Sequence, residues 1–363
     1  MSTIAATTNY DRMKEVKEFD DSKLGAKGLS DSGITTIPKF FVHSPETLSG
    51  IKSTSKEAEI PVIDISGKDS PELRPNIVKL IHQAAATWGF FQVINHGVPI
   101  EVLNKTLKAV KSFHDLPLEV RSKHYVRQEH KGVAYTSNTD LFRSKAASWH
   151  DYVQVWMSPE PVDTEQIPAA CREELLAWDG HATAVAQTVA ELLAEGLGLP
   201  ARRLISEGLL ISRLIAGVYY PYCPQPELTL GLNHHTDPGM LTVLLENKVA
   251  GLQVKHGGEW VDVKPVPGSL IINIGDSLQI ISNGEYRSVE HRVLANSLKE
   301  PRISVVEFFN VDKRDESGLL GPLPELITPE KPAVYRSCTF KELHENFYSK
   351  GLGSKSMPDK LML

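Results

Sequence analysis

The chain has few cysteines, no excess of positive charge and no long apolar run. Its 363 residues include only three cysteines, Cys171, Cys223 and Cys338. An odd number of cysteines without metal-type spacing disfavours both a disulfide framework and a thiolate zinc site. The sequence therefore predicts reduced thiols in a cytoplasmic protein.

The balance of charge has the wrong sign for a nucleic-acid-binding protein. The formal charge is −6 at pH 7, whereas proteins that bind polyanions concentrate positive charge. No apolar run reaches membrane-spanning length, and the N-terminus lacks a secretory hydrophobic region. We expect a monomer that binds a small-molecule substrate and has neither a nucleic-acid nor a membrane partner.

The most informative motif that is present is His235-Thr236-Asp237. In an extended segment, residues i and i+2 project to the same face, so His235 and Asp237 can reach one ion. His291 follows 56 residues later (291 − 235) and can add a second imidazole. Two imidazoles and one carboxylate form a facial triad that leaves neighbouring octahedral positions open, as in non-haem Fe(II) oxygenases.

Each part of this pattern has an ordinary explanation when taken alone. A single His-X-Asp is more often part of a solvated loop than a metal site. Here the only His-X-Asp of the chain is followed by its only Arg-X-Ser, Arg302-Ile303-Ser304, 11 residues after His291 (302 − 291). Structural zinc would require four closed ligands, commonly thiolates. The combination favours a catalytic metal.

Arg302 and Ser304 lie in a segment that reads as a strand. Residues 302–309 are rich in β-branched and aromatic side chains, and the two polar residues share one face. A guanidinium can grip a carboxylate through two hydrogen bonds, and a hydroxyl can donate to the same group. The expected ligand is therefore an acid.

Longer motifs carry a resemblance to a known family. They are VYYPYCPQPELTLG at 218–231, WGFFQVINHGV at 88–98, NIGD at 273–276 and NGEYRSVEHRV at 283–293. These motifs resemble the plant 2-oxoglutarate- and iron-dependent dioxygenase superfamily over nearly the whole chain. The segments YDR at 10–12 and FDDSKLGAKGL at 19–29 resemble the clade of 1-aminocyclopropane-1-carboxylate oxidase homologues, which includes hydroxylases of specialised metabolism.

The resemblance implies a set of site residues and cofactors. His235, Asp237 and His291 would be the ligands of Fe(II). Arg302 and Ser304 would bind the far carboxylate of the cosubstrate 2-oxoglutarate, to which Tyr220 would also donate. The implied enzyme is an oxidoreductase that consumes O2 and converts 2-oxoglutarate to succinate and CO2, with ascorbate as a candidate reductant. No side chain acts as a nucleophile or as a general acid or base.

Two residues depart from the family pattern. Val218 stands where an asparagine usually precedes the paired tyrosines, so we expect weaker cosubstrate binding without loss of activity. His234 stands where a small or aliphatic residue is usual. It should point away from His235, which predicts a supporting or pocket-facing side chain rather than a ligand.

The pattern of elements predicts a mixed α+β fold. Helices are expected near 10–19, 71–88, after Pro99, over 164–195 and over 338–349. Strands are expected at 60–65, 90–95, 210–220, 241–245, 252–255, 260–263, 270–274, 292–294 and 302–310, and Gly257-Gly258 predicts a hairpin. The regular spacing favours a jelly roll, and the resemblance implies a double-stranded β-helix flanked by helices.

The sequence predicts four regions. They are a polar helical arm at 1–55, an N-terminal α/β region at 56–205, the jelly-roll core at 206–315 and a C-terminal loop and helix at 316–363. By resemblance, the last region packs over the site entrance.

The substrate is the least determined part of the prediction. Candidate pocket residues are Phe308, Phe142, Tyr135 and His234, because ligand pockets are mostly apolar with few polar anchors. The leading function is hydroxylation of a small plant metabolite, such as an alkaloid or other polycyclic or aromatic compound. O-demethylation, desaturation or epoxidation, oxidation of a phytohormone, and metal binding without turnover are the alternatives.

Overall fold

The computed structural model describes residues 10–51, 58–127, 132–311, 318–339, 341–343, 345 and 358–363. The helices are α1 (Arg12–Ser22), α2 (Gly25–Asp31), α3 (Arg74–Thr87), α4 (Ile100–His114), α5 (Leu118–Arg121), α6 (Arg172–Gly196), α7 (Arg203–Ser206) and α8 (Asp276–Ile281), with a further turn at Pro358–Leu361. The strands are β1 (Val62–Asp64), β2 (Phe90–Ile94), β3 (Val133–Thr136), β4 (Asp151–Ser158), β5 (Ser212–Tyr220), β6 (Leu230–His235), β7 (Leu241–Glu246), β8 (Leu252–His256), β9 (Glu259–Asp262), β10 (Leu270–Ile274), β11 (His291–Leu294), β12 (Arg302–Asn310), β13 (Leu319–Leu320) and β14 (Cys338–Thr339).

Two facing sheets form the core of the fold. The larger sheet has the order β1-β2-β10-β7-β12-β5-β4-β3, and the smaller has the order β6-β11-β8-β9. All neighbours in them pair antiparallel except β1 and β2, which are parallel. The expected jelly-roll core flanked by helices is confirmed.

Strand β12 shows how the sequence separates the two faces of the larger sheet. Val306 and Phe308 belong to an apolar cluster that also contains Val254 and Val293 of the smaller sheet. The alternate residues Val305 and Phe309 instead join the cluster formed with the helices. Because side chains alternate along a strand, Arg302 and Ser304 share the face of Val306 and point between the sheets.

Helix α6 covers the outer face of the larger sheet. Its residues Leu175, Val185, Val189 and Leu192 are almost completely buried and form an apolar stripe that faces the sheet. The helix ends at Gly196, and Gly198 and Pro200 follow. Gly198 has a φ of 75°, a conformation that favours glycine and stops the helix.

The predicted hairpin is present between β8 and β9. His256 lies opposite Glu259, so Gly257 and Gly258 form a two-residue turn. Their φ values are 59° and 89°. Two successive residues of positive φ match the right-handed twist of the strands, and glycine adopts them without strain.

The described part of the N-terminal arm is fixed to the core by two buried charged residues. The carboxylate of Asp151 accepts hydrogen bonds of 2.8 Å from the backbone N–H groups of Ala26 and Lys27. Arg292, next to the predicted ligand His291, donates to the backbone oxygens of residues 47, 49 and 50. The arm therefore packs behind the strand that carries His291.

Several elements differ from the expectation. Strands β3, β4 and β6 were not predicted as strands, although Asp151–Ser158 alternates in burial. The helix expected at 338–349 is wrong at its start, because Cys338 pairs with Leu320 in a short strand. Residues 341–343 are helical, and most of the remainder lies outside the described residues.

No helix in the described part of the chain is long and apolar enough to cross a membrane. The four-region division, the monomer and the cytoplasmic location stay predictions.

Candidate metal centre

Three donor side chains meet at one end of the space between the sheets. His235 ends β6, Asp237 lies two residues further on, and His291 begins β11. Nε2 of His235 is 3.5 Å from Oδ1 of Asp237, and Nε2 of His291 is 3.7 Å from the same oxygen. Among the described residues these three form the one His, Cys, Asp or Glu cluster with metal-binding spacing.

Hydrogen bonds orient each donor toward a common point. Nδ1 of His235 lies 2.9 Å from the backbone oxygen of Asn233, and Nδ1 of His291 lies 3.3 Å from that of Val289. A ring that donates through Nδ1 keeps the lone pair of Nε2 free for a metal. Both imidazoles therefore present Nε2 toward Oδ1 of Asp237.

The other oxygen of Asp237 is held by two neutral donors. Oγ1 of Thr242 donates to Oδ2 at 2.7 Å, and Nδ2 of Asn273 donates to it at 2.8 Å. Thr242 and Asn273 lie opposite each other on β7 and β10. The larger sheet thus fixes the carboxylate and leaves Oδ1 available to an ion.

The motif Asn273-Ile-Gly-Asp276 packs against the loop that carries Asp237 and hydrogen-bonds to it. The backbone N–H of Asp276 donates to the backbone oxygen of Asp237 at 2.7 Å, and Thr236 donates to the Asp276 carboxylate at 3.1 Å. A Cβ on Gly275 would lie 2.1 Å from the backbone oxygen of Gly239. Glycine is required there because the two backbones approach so closely.

Electrostatics favour the metal-binding forms of two of the three donors, Asp237 and His291. Burial, reinforced by His235, lowers the pKa of His291 to about 4, so this imidazole is neutral at pH 7 and becomes charged only in acid. Burial acts to raise the pKa of Asp237, but attraction to His291 and a hydrogen bond from His235 outweigh it and hold that pKa far below its ordinary value. Burial likewise acts against charge on His235, yet Asp237 raises its pKa overall. A cation bound here would compete with that proton.

The predicted acid-binding residues lie deeper between the sheets. Arg302 lies directly opposite Tyr220, and Ser304 lies directly opposite Val218, in the β5–β12 ladder. Nη1 of Arg302 is 3.5 Å from Oγ of Ser304, and the guanidinium carbon is 4.9 Å from the Tyr220 ring centre. Guanidinium, hydroxyl and phenol are therefore adjacent, with the aliphatic Val218 beside them.

Glu246 is a charged residue of this pocket that the sequence prediction missed. It ends β7 opposite Ser304, and its Oε2 lies 2.5 Å from Nη2 of Arg302. Both side chains are buried. Nothing in the local sequence pattern singles out Glu246, because its role arises only from the pairing of β7 with β12.

Phe308 has the position that strand register predicts. It lies opposite Thr242, the residue that donates to Asp237, and packs against the apolar cluster between the sheets. A contact with substrate stays a prediction.

The prediction of Tyr135 as a pocket residue is corrected by the same ladder. Tyr135 lies opposite Val153, which lies opposite Gly217, which lies opposite Val305. That row points to the helices, and the Tyr135 hydroxyl accepts a hydrogen bond from Arg121 in the core.

The two remaining pocket candidates contact residues other than the three donors. Phe142 is on the surface, with its ring centre 5.6 Å from the guanidinium carbon of Arg127. His234 follows the alternation of β6 and points away from His235. Its Nδ1 is 3.0 Å from Oε1 of Glu290. Pocket roles for both stay predictions.

Two aromatic residues near the donors were not predicted as part of the site. Phe90 has its ring centre 5.0 Å from that of His291. Tyr152 lies opposite Val218, on the face of Ser304. The alternation of β4 could have indicated Tyr152, but its strand was not recognised in the sequence.

The donor set fits a catalytic divalent metal. Two imidazoles and one carboxylate, without thiolates, match the facial triad of non-haem Fe(II) enzymes and leave positions for further ligands. Arg302 faces the same space between the sheets and can bind an acid there. These residues can therefore hold Fe(II) beside a chelating carboxylate cosubstrate.

Comparison with known proteins gives two family matches. Residues 211–311 match the 2OG-Fe(II) oxygenase superfamily. Residues 60–173 match the N-terminal region of the non-haem dioxygenases described for morphine synthesis.

Curated relatives align over almost the full chain. 1-Aminocyclopropane-1-carboxylate oxidase homolog 4 of Arabidopsis thaliana is 43% identical over 349 residues, which cover 96% of this chain and 97% of the relative. A homolog from Solanum lycopersicum is 42% identical over 352 residues and covers 96% of both chains.

Solved structures show the same fold. The crystal structure of JOX2 in complex with 2OG, Fe and JA has a TM-score of 0.81 at 29% identity and covers 93% of this chain and 97% of JOX2. The rice dioxygenase for auxin oxidation has a TM-score of 0.71 at 26% identity and covers 84% of this chain and all of the rice chain.

Proposed function

Since the chain belongs to the 2OG-Fe(II) oxygenase superfamily, and within it to the plant 1-aminocyclopropane-1-carboxylate oxidase homologues, we propose that it hydroxylates a small specialised metabolite. Membership makes it an oxidoreductase that uses Fe(II), 2-oxoglutarate and O2. The proposed substrate is an alkaloid or another polycyclic or aromatic compound. We also assign the residues that would bind the metal and the cosubstrate.

The residue assignment is that His235, Asp237 and His291 hold the iron. The observation that carries it is the convergence of both Nε2 atoms on Oδ1 of Asp237, at 3.5 and 3.7 Å. The hydrogen bonds of Thr242 and Asn273 to Oδ2 support it, because they fix which carboxylate oxygen is left for the metal.

Arg302, Ser304 and Tyr220 are assigned to the far carboxylate of 2-oxoglutarate. A buried guanidinium with a hydroxyl and a phenol beside it matches the donors that a carboxylate requires. The aliphatic Val218 next to Ser304 contributes no donor, which supports weaker cosubstrate binding.

When bound, the iron supplies the activation of O2 and the oxidising power for attack on a substrate C–H bond. The protein's own residues bind, orient and exclude water. Arg302 and its neighbours fix the far end of the cosubstrate. The apolar cluster between the sheets includes Phe90, Val254, Val293 and Phe308, and the ring centre of Phe90 lies 5.0 Å from that of His291. This supports an apolar substrate held close to the metal.

O-demethylation, desaturation or epoxidation of a similar metabolite would require the same groups, with only the substrate changed. Oxidation of a phytohormone is a second candidate with a specific observation in its favour. JOX2 was crystallised with JA, and the rice neighbour is a dioxygenase for auxin oxidation. Both are less than 30% identical to this chain, whereas the homologues of the oxidase exceed 40%. The specialised-metabolite proposal comes first because the clade that the N-terminal segments resemble includes hydroxylases of specialised metabolism.

The proposal is tested by incubating the protein aerobically with Fe(II), 2-oxoglutarate and fractionated plant extracts, with and without ascorbate. Succinate formation and a mass gain of one oxygen atom in an apolar aromatic metabolite are expected. Jasmonate and auxin are included as separate substrates, and Asp237→Ala is the inactive control. Turnover of a hormone alone would replace the leading proposal, and metal binding without any succinate would indicate a protein without turnover.

A further inference from the structure

The cosubstrate pocket already contains a carboxylate of its own. Oε2 of Glu246 is 2.5 Å from Nη2 of Arg302, and the Arg302 and Glu246 side chains are only 1% and 7% exposed. We infer that Glu246 takes up one proton when a dicarboxylate enters the Arg302 pocket, and so sets the pH range in which the cosubstrate binds. This inference rests on the proposed role of Arg302.

The contact with Glu246 leaves other donors on the same guanidinium for a second carboxylate. Nη1 lies 3.5 Å from Oγ of Ser304, whereas Nη2 makes the contact with Glu246. Nε of Arg302 and Oε1 of Glu246 are buried, and neither has a hydrogen-bond partner among the described residues. A ligand carboxylate can therefore reach Arg302 while Glu246 stays in contact, and Oε1 is free to carry a proton.

The net charge of the pocket determines whether Glu246 takes up a proton when the ligand binds. Arg302 and ionised Glu246 together are neutral, so an added ligand carboxylate leaves one net negative charge. The surroundings are apolar side chains such as Val218, Ile271 and Val293. A buried, uncompensated charge is relieved most readily by a proton, and two carboxylates that share one partner do not both ionise easily.

The other titratable groups of the pocket cannot supply this compensation. Apart from Arg302, the group that faces Glu246 from the neighbouring strands is Tyr220 on β5, and His150 lies beyond it with its ring centre 5.7 Å from that of Tyr220. Burial raises the pKa of Tyr220, so its phenol is neutral. Burial lowers the pKa of His150 to about 4, so it carries no positive charge. Glu246 has a pKa raised by burial against the opposing effect of Arg302.

The test is titration calorimetry of the Fe(II)-loaded protein with 2-oxoglutarate under anaerobic conditions. Repeating each titration in buffers of different ionisation enthalpy gives the number of protons taken up. The wild-type protein should take up about one proton at pH 8. Its Kd should rise about tenfold per pH unit in the range where the free protein has lost the Glu246 proton and the complex keeps it. Glu246→Gln should take up none and bind more tightly than wild type at pH 8.

Glu307→Gln is the matched control, because it removes a buried carboxylate on the other face of the same sheet. It should keep the wild-type proton count. A wild-type count of zero, or a Glu246→Gln protein that binds iron but not 2-oxoglutarate, overturns the inference. Those outcomes leave the proposed function intact if the wild type still binds 2-oxoglutarate. Failure of wild type and both variants to bind it at any pH, with iron present, would overturn the cosubstrate site as well.

Discussion

His235 and His291 lie directly opposite each other in the β6–β11 ladder, with their ring centres 4.2 Å apart. Neither strand could supply both imidazoles by itself. The pairing of two strands from distant parts of the chain therefore creates the site, and Asp237 joins it through the loop that follows His235.

Removal of the carboxylate donor should abolish stable metal binding. We expect Asp237→Ala to lose stoichiometric iron, because two neutral imidazoles remain without a charged ligand. His234→Ala is the matched control, since its ring contacts Glu290 on the opposite face of β6. Metal analysis after anaerobic loading and desalting measures both. Loss of iron in His234→Ala, or full retention in Asp237→Ala, would contradict the ligand assignment.

The residues that hold Oδ2 of Asp237 should affect metal affinity without being ligands. Asn273→Ala is expected to weaken divalent metal binding roughly 10- to 100-fold, the usual effect of removing a partner of a ligand. Thr242→Val removes the other donor at nearly constant volume. Competition titrations with a metal indicator give the affinities of both variants and of the double variant. Unchanged affinity in all three would show that the carboxylate needs no such support.

The close approach at Gly275 should make even alanine costly. A Cβ would lie 2.1 Å from the backbone oxygen of Gly239, so the loop must shift. We expect Gly275→Ala to lose roughly 1–3 kcal/mol of stability, as overpacking usually does. Gly180→Ala is the control, because this exposed position within α6 has open space around it and should gain about 0.5–1 kcal/mol. Thermal or denaturant unfolding gives both values, and equal stabilities would contradict the prediction.

Glu307 should make the protein less stable as the pH rises. Its side chain is fully buried beside Asp179, and burial raises its pKa well above the ordinary value. Between the unfolded and folded pKa values, the folded state holds a proton that the unfolded state has lost. The free energy of unfolding therefore falls by about 1.4 kcal/mol per pH unit in that range.

The check is denaturant unfolding of Glu307→Gln and wild type from pH 4 to pH 8. The variant should gain stability relative to wild type as the pH rises, and the difference should disappear below the unfolded pKa of about 4.3. Glu300→Gln, at an exposed position, should follow wild type throughout. A pH-independent difference for Glu307→Gln would show that its carboxyl ionises in the folded state as readily as in the unfolded state.

The sequence could predict the parts of the site that depend on local pattern. His235 and Asp237 share a face because they are two residues apart, and the bounds of β12 follow from its β-branched and aromatic residues. Glu246 and Tyr135 could not be placed in this way. Each depends on which strands are neighbours in the sheet, and that order is determined by packing across the whole fold.

Phe308 and Phe309 are adjacent on β12, but we expect the first to act in the pocket and the second in the core. Phe308 points between the sheets and lies opposite Thr242, whereas Phe309 is completely buried toward the helices. We expect Phe308→Ala to raise the KM or lower the turnover of the metabolite identified by the extract screen, with little loss of stability. Phe309→Ala should instead destabilise the protein by roughly 3–5 kcal/mol, the cost of a large cavity. Steady-state kinetics and denaturant unfolding of both variants give the two readouts. Unchanged kinetics in Phe308→Ala would exclude contact between this side chain and the substrate.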